Sequence, residues 1–204
     1  MFPPKTIERF SLYRRLAADL QRQKTPYIFS HQLAALAQST PAQVRRDLMN
    51  AGITGSSSKG YDLNILKSRL EEILSSSVQK AALVGIGNLG RAILSYFPQR
   101  SPSVRIIAAF DIDSSKTGRV IHGCRTYPIE ELDSVVEKES ITLGVITTPR
   151  EAAQKTADSM VSAGILGILN FAPIPIRVPA GIFTESLDLT TSLEKLAYFT
   201  RTPY

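Results

Sequence analysis

The chain has 204 residues, of which 43% are hydrophobic, with a single cysteine and a formal net charge of +6. That composition can fill one large core or two small ones and excludes wholesale disorder. Cys124, being alone, cannot close an intramolecular disulfide or build a cysteine-rich zinc site, so the chain reads as a reduced, intracellular protein with a structural thiol. The first residues lack an apolar stretch, so no signal peptide is expected. The longest uncharged run, Ser159 to Ile176, contains Gly164, Gly167, Asn170, Pro173 and Pro175, which argues against a membrane span.

Charge is unevenly placed. Residues 1–80 carry 12 Lys and Arg against 6 Asp and Glu, whereas residues 81–204 carry 12 of each. A basic segment joined to a neutral one points to a polyanion as partner of the first, with nucleic acid the leading candidate. The serine run at Ser75, Ser76 and Ser77 marks the expected boundary.

Ahead of that boundary the periodicity is helical. Ile7, Phe10, Leu12, Leu16 and Leu20 mark a first helix. Ser30 is expected to cap a second, with Leu33, Leu36 and Ala37 facing inward. Thr40 and Pro41 open a third helix that Ala51 and Gly52 close, only about three residues after the second, which is helix-turn-helix spacing. On that third helix Val44 and Leu48 face the other helices, while Gln43, Arg46 and Asn50 fall on another face, suited to reading base edges. Arg45 is better placed for a phosphate, and Asp47 is expected to pair with Arg45 or Arg46 or to brace the helix. Ile53 to Leu63 reads as a glycine-tipped wing, followed by a fourth helix from Asn64 to Leu74. The candidate DNA-contacting set is Ser39, Gln43, Arg45, Arg46, Asn50, Lys59 and Tyr61.

Beyond the boundary, apolar strands alternate with helices. Strands are expected over Ala81 to Ile86, Val104 to Phe110, Ile141 to Thr147 and Leu166 to Phe171, with an amphipathic helix from Pro149 to Ala163. Such alternation implies a parallel, doubly wound sheet. Gly85-Ile86-Gly87-Asn88-Leu89-Gly90 follows the first strand and opens a helix, the context that gives a G-x-G-x-x-G its meaning. Gly85 serves the tight turn, Gly87 the approach of backbone to a pyrophosphate, and Gly90 close packing of helix on strand. Asp111, at the end of the second strand, sits where a ribose-binding carboxylate belongs and favours NAD(H) over NADP(H). Lys116 and Arg119 weaken that discrimination, and Asp113 is the fallback ligand. No Tyr-x-x-x-Lys pair occurs, His31 and His122 stand isolated, and the chain lacks the extra length of a dehydrogenase substrate domain. The nucleotide is expected to be sensed, not consumed, with no catalytic residue and no metal.

These residues resemble the Rex family of redox-sensing transcriptional repressors. The motifs are Gln43-Val44-Arg45-Arg46-Asp47-Leu48, Gly60-Tyr61, the glycine fingerprint, Phe110-Asp111-Ile112-Asp113, Thr148-Pro149, Ala153-Gln154 and Gly167-Ile168-Leu169-Asn170-Phe171-Ala172-Pro173. The resemblance implies an α/β chain in three parts: a winged helix over 1–78, a Rossmann NAD(H)-binding domain over 79–187, and a dimerisation segment over 188–204. Its C-terminal helix, about Thr190 to Thr202, would be exchanged between protomers of a cytoplasmic homodimer. It further implies binding to palindromic operator DNA with NAD⁺ or no ligand and release by NADH. The implied cofactor residues are Gly85, Gly87, Asn88, Leu89, Gly90, Asp111, Ile112, Thr147, Thr148, Pro149, Asn170, Phe171, Ala172 and Pro173. A switch of Arg15, Tyr96 and Asp188 is implied, with Arg14 and Phe97 as neighbours in the register. The family wing commonly carries Lys-Arg-Gly before Gly-Tyr, where this chain has Ser56-Ser57-Ser58-Lys59. Two alternatives stay open: a small NAD-linked oxidoreductase, and a paralogue that binds nucleotide but has weak or lost operator binding.

Overall fold

A computed structural model describes residues 2–74, 77–97 and 103–201. The chain divides into two compact units, Met1–Ser77 and Val78–Tyr204. Ser75 and Ser76 of the expected boundary lie outside the described residues, as does the end of the expected C-terminal segment from Thr202 onward.

The first unit contains α1 (Pro4–Arg22), β1 (Tyr27–Ile28), α2 (Ser30–Leu36), α3 (Pro41–Asn50), β2 (Tyr61–Asp62) and α4 (Leu63–Leu74). Its core gathers Phe10, Tyr13 and Ala17 of α1 with Leu33, Val44, Leu48, Leu63, Leu66 and Leu70. The start of α3 obeys its local chemistry, since the Thr40 hydroxyl accepts from Gln43 N at 3.1 Å and Pro41 occupies the first turn. The second helix differs from expectation. Ser30 is its first helical residue, not its cap. Gln32 reaches back to accept from Phe29 N at 2.9 Å, which leaves the Ser30 hydroxyl to receive Arg45 at 3.3 Å. Its inner face is Leu33 and Ala34, with Leu36 half exposed. Between β1 and β2, which pair antiparallel, Ser56 and Gly60 bridge to form the wing. Gly60 has φ +80°, and a Cβ there would come within 2.4 Å of the Ile28 carbonyl oxygen.

Asp47 does not pair with Arg45 or Arg46. It is buried and receives Arg9 Nε at 2.5 Å, Arg9 Nη2 at 2.8 Å, Gln43 Nε2 at 2.9 Å and the Tyr13 hydroxyl at 3.1 Å. Burial alone would raise its pKa, but hydrogen bonds from Arg9, Gln43 and Tyr13 outweigh it and hold the carboxyl below the usual range. Burial, with Asp47 alongside, pushes the Tyr13 phenol up to about 12. The carboxylate thus fastens α3 to α1, the bracing role among those its position suggests.

The second unit adds β3 (Gln79–Val84), α5 (Asn88–Tyr96), β4 (Val104–Asp111), β5 (Val120–Ile121), β6 (Cys124–Pro128), α6 (Leu132–Glu139), β7 (Leu143–Ile146), α7 (Arg150–Ser162), β8 (Gly167–Asn170), β9 (Phe183–Ser186) and α8 (Leu189–Thr200). The strand order is β5-β6-β4-β3-β7-β8-β9, with every pair parallel except β5 with β6. Alternate residues serve opposite faces: Ala82, Val84 and Phe110 pack with α6 and α7, while Leu83, Ala109 and Val145 pack with α5. Cys124 is buried in the second of these clusters, where desolvation pushes its thiol up to about 12, so it serves as core. None of α8 is buried. Among the described residues no helix is long and apolar enough to cross a membrane.

The Asp47 cluster sets a pH dependence of known sign. A carboxyl whose folded pKa is depressed contributes stability above its unfolded value, near 3.9, and loses that contribution as pH falls through the folded one. Asp47→Asn is therefore expected to cost about 3 kcal/mol at pH 7 by leaving Arg9 without its partner. It is also expected to flatten the loss of stability below about pH 4. Urea unfolding of both proteins at several pH values checks this; equal stability at pH 7 would remove Asp47 from the fastening of α3.

Candidate nucleotide groove and DNA-reading face

The strand order reverses between β3 and β7, and loops leaving the C-terminal ends of β4, β3, β7 and β8 surround that point. In an open α/β sheet this is where a crevice forms. A groove of about 620 Å³ lies there, within the range of small-molecule sites. Gly85, Gly87, Asn88, Leu89, Asp111, Ile112, Thr147, Thr148, Pro149, Phe171 and Pro173 all line it. Three further residues of the sequence-derived set do not. Gly90 is buried beneath the loop, Ala172 is buried, and Asn170 turns inward, its amide donating to Ile174 O at 2.8 Å and its carbonyl accepting from Ala172 N at 3.0 Å. These three hold the wall in place from behind. Val84, Ile129, Ala152 and Thr156 line the groove without having stood out in the sequence, because their apolar or small side chains carry no chemical signature.

The glycine loop takes its shape from close backbone approaches. Gly85 has φ +104°, and a Cβ there would meet Thr147 backbone at 2.7 Å. A Cβ on Gly90 would come within 2.1 Å of the Gly85 carbonyl oxygen. The Thr147 hydroxyl donates to that same oxygen at 2.7 Å, joining the loops after β3 and β7. At Gly87, by contrast, a Cβ would meet nothing within 4 Å. Asn88 begins α5 directly afterwards, so the unpaired N–H groups of the helix start belong to the groove wall. The Thr148 hydroxyl is buried with no partner among the described residues, an acceptor and donor left for whatever occupies the groove.

Asp111 is 7% exposed and already engaged. Its Oδ2 accepts from Ile86 N at 2.7 Å and its Oδ1 from Asp113 N at 2.9 Å, so it ties the glycine loop to β4. A carboxylate has about four acceptor positions, so capacity remains. Lys116 Nζ stands 3.4 Å from oxygens of both Asp111 and Asp113. One ammonium between two carboxylates leaves this corner net negative. Asp113 is the more exposed of the pair, and its carboxyl is held below the usual range by hydrogen bonds from Ser115 and by Lys116. Arg119 is exposed and does not line the groove. A second hollow, about 750 Å³, lies between α7 and residues 174–179. There Gln154 bonds both backbone groups of Arg177, and no glycine-rich turn contributes.

In the first unit, α3 buries Val44, Asp47 and Leu48 and exposes Arg45, Arg46 and Asn50. Gln43 is half-buried with its amide nitrogen donating to Asp47, so that donor is directed into the protein. Ser39 is half-buried beside Tyr13. On the wing Lys59 is exposed, its ammonium 5.8 Å above the Tyr27 ring. Tyr61 is half-buried, its ring occupying the space a Gly55 side chain would need.

Of the implied switch residues, Arg15 is exposed, while neighbouring Arg14 is buried with Nη1 unpartnered among the described residues. Tyr96 is 53% exposed and meets Phe97 edge to face. Asp188 caps α8, accepting from the Thr191 hydroxyl at 2.6 Å and from Thr190 N and Thr191 N. These bonds, the Thr191 ones foremost, hold its carboxyl below the usual range.

Residues 76–174 match the family described as "CoA binding domain", and residues 2–48 the family described as "Putative DNA-binding protein N-terminus". A protein of Lactobacillus acidophilus named "Redox-sensing transcriptional repressor Rex" is 38% identical over 97% of this chain and 94% of its own length. The crystal structure of RSP in complex with β-NAD⁺ and operator DNA superposes with a TM-score of 0.90 at 30% identity, covering 98% of this chain and 93% of that one. The RSP complex with β-NADH gives 0.85 at 29% identity, covering 98% and 94%. Identity of this order along nearly the whole of both chains, together with the superposition over 98% of this chain, places the chain in the Rex family of redox-sensing transcriptional repressors.

Proposed function

We propose that this chain is a DNA-binding repressor that reports the NADH/NAD⁺ ratio, holding a palindromic operator with NAD⁺ or no ligand and releasing it with NADH. The observation that carries the nucleotide half is the groove at the strand-order reversal. It combines an unobstructed Gly87 backbone, the start of α5 and an orphaned Thr148 hydroxyl. Gly85, Gly87, Asn88 and Leu89 would hold the pyrophosphate. Asp111 and Asp113 would hold the adenine-side ribose, with exposed Ile112 offering an apolar surface to the base. Thr147, Thr148, Pro149, Phe171 and Pro173 would face the nicotinamide end. The two carboxylates flanking Lys116 favour NAD(H) over NADP(H), because the net charge beside the 2′ position stays negative. When bound, the coenzyme supplies one difference, a positive nicotinamide in the oxidised form and a neutral one in the reduced form. Burial in a dry pocket penalises the charge, so the apolar side chains at the nicotinamide end, Pro149, Phe171 and Pro173, would discriminate in favour of NADH.

The DNA half rests on the exposed Arg45, Arg46 and Asn50 face of α3 and on the charge excess of the first unit. A homodimer with exchanged C-terminal helices is supported by α8, which exposes Leu189, Leu193, Leu196, Tyr198 and Phe199 and buries nothing. Two recognition helices would then meet half-sites about 34–36 Å apart, and a rearrangement of the dimer on NADH binding would spoil that spacing. Arg15, Tyr96 and Asp188 are assigned to this rearrangement. The site of action is the cytoplasm, where both the DNA and the coenzyme pool are found.

Two measurements test the reading. Palindromic duplexes recovered by selection from a random pool are titrated with protein in NAD⁺ and in NADH. NADH is expected to weaken binding by about tenfold or more, a coupling of about 1.4 kcal/mol or more, and binding should fall steeply with salt. Equal affinity with both nucleotides overturns the sensor. Separately, Gly87→Ala should leave thermal stability unchanged and weaken coenzyme binding by about tenfold, because its Cβ has space in the protein and obstructs only the ligand. Gly90→Ala should instead cost about 3 kcal/mol of stability by forcing α5 off the Gly85 carbonyl. Unimpaired NADH binding by Gly87→Ala would move the pyrophosphate elsewhere.

A further inference from the structure

The geometry points to Met49 as a specificity-determining residue that reads the methyl group of a thymine, an inference that rests on α3 being the helix that enters the major groove. The three buried residues of α3, Val44, Asp47 and Leu48, fix the direction opposite to them as the outward centre of the helix. At about 100° per residue, that centre falls between Ala42, Met49 and Arg46, with Arg45 and Asn50 on its two flanks. All five are exposed. Gln43 lies on the edge next to Asp47 and its amide donor is bound there at 2.9 Å. The middle of the reading face therefore carries one long cation and one long apolar side chain.

Met49 is 69% exposed, the most of any large hydrophobic residue described in the first unit, and nothing in the core accounts for it. It stands three residues after Arg46 and four after Arg45, so the three share one patch of surface. In the major groove the single apolar feature of a base edge is the thymine C5-methyl, whereas guanine offers N7 and O6 to an arginine. A flexible thioether flanked by arginines suits a thymine next to the guanine that Arg46 reads. Both groups are then desolvated together, and the hydrophobic exposure that is unfavourable in the free protein is relieved on DNA.

The test uses the full-length protein and duplexes recovered by selection from a random pool. Each thymine of the half-site is replaced in turn, symmetrically, by deoxyuridine, which removes the methyl and leaves base pairing intact. The wild type should lose about fifteenfold in affinity at one thymine position, about fourfold for the buried methyl of each half-site. Met49→Ala should bind the unmodified duplex more weakly, by about tenfold or more, and show no loss at that position. Met49→Leu should restore the sensitivity. Unchanged melting of both variants is expected from the exposure of Met49. If Met49→Ala keeps the wild-type deoxyuridine profile, Met49 reads no thymine while the DNA-binding reading stands. If no duplex is recovered, both fall.

Discussion

The nucleotide groove depends on one close approach of backbone to backbone. Helix α5 begins so near the turn after β3 that the Gly85 carbonyl oxygen occupies the place of a side chain at Gly90. The same oxygen takes the Thr147 hydroxyl, so a single acceptor ties the helix, the glycine turn and the loop after β7 together. Asp111 completes the arrangement by accepting from Ile86 N. Three strand ends, those of β3, β4 and β7, are thereby held around one crevice before any ligand arrives. Gly87 has space, and Thr148 an unmet hydrogen bond, to offer one.

This division explains what was legible in the sequence. Gly85 and Gly90 are legible because each answers a local steric demand that no other residue meets, and Gly87 because it stands at a fixed spacing between them. Thr40 and Pro41 are legible for the same reason, since a cap acts within one turn. The partner of Asp47 is not legible, because Arg9 lies 38 positions away and only folding brings them together. Nor is the role of Asn170, whose inward turn is set by the path of the loop after β8. The short pair β5 and β6, the mostly exposed edge strand β9 and helix α6 carry too little periodicity to stand out from the surrounding polar chain.

The reading face of α3 shows a related effect. Taken from spacing alone, Gln43, Arg46 and Asn50 form a stripe. Once burial of Asp47 is known, the outward direction rotates toward Arg46 and Ala42 and away from Gln43. A buried aspartate on a helix that faces a polyanion would otherwise be a contradiction. Here the charge is withdrawn from the surface and neutralised by Arg9, so it does not weaken the positive face. The serine-rich wing leaves Lys59 as the one cation at its tip.

The cluster around Asp47 also limits how any signal can be delivered. Four hydrogen bonds from α1 and from within α3 converge on one carboxylate inside the core, and a helix secured in this way has no alternative rotation or partial melting of low cost. Any displacement of α3 therefore carries α1 with it, as a lever carries a fixed tooth.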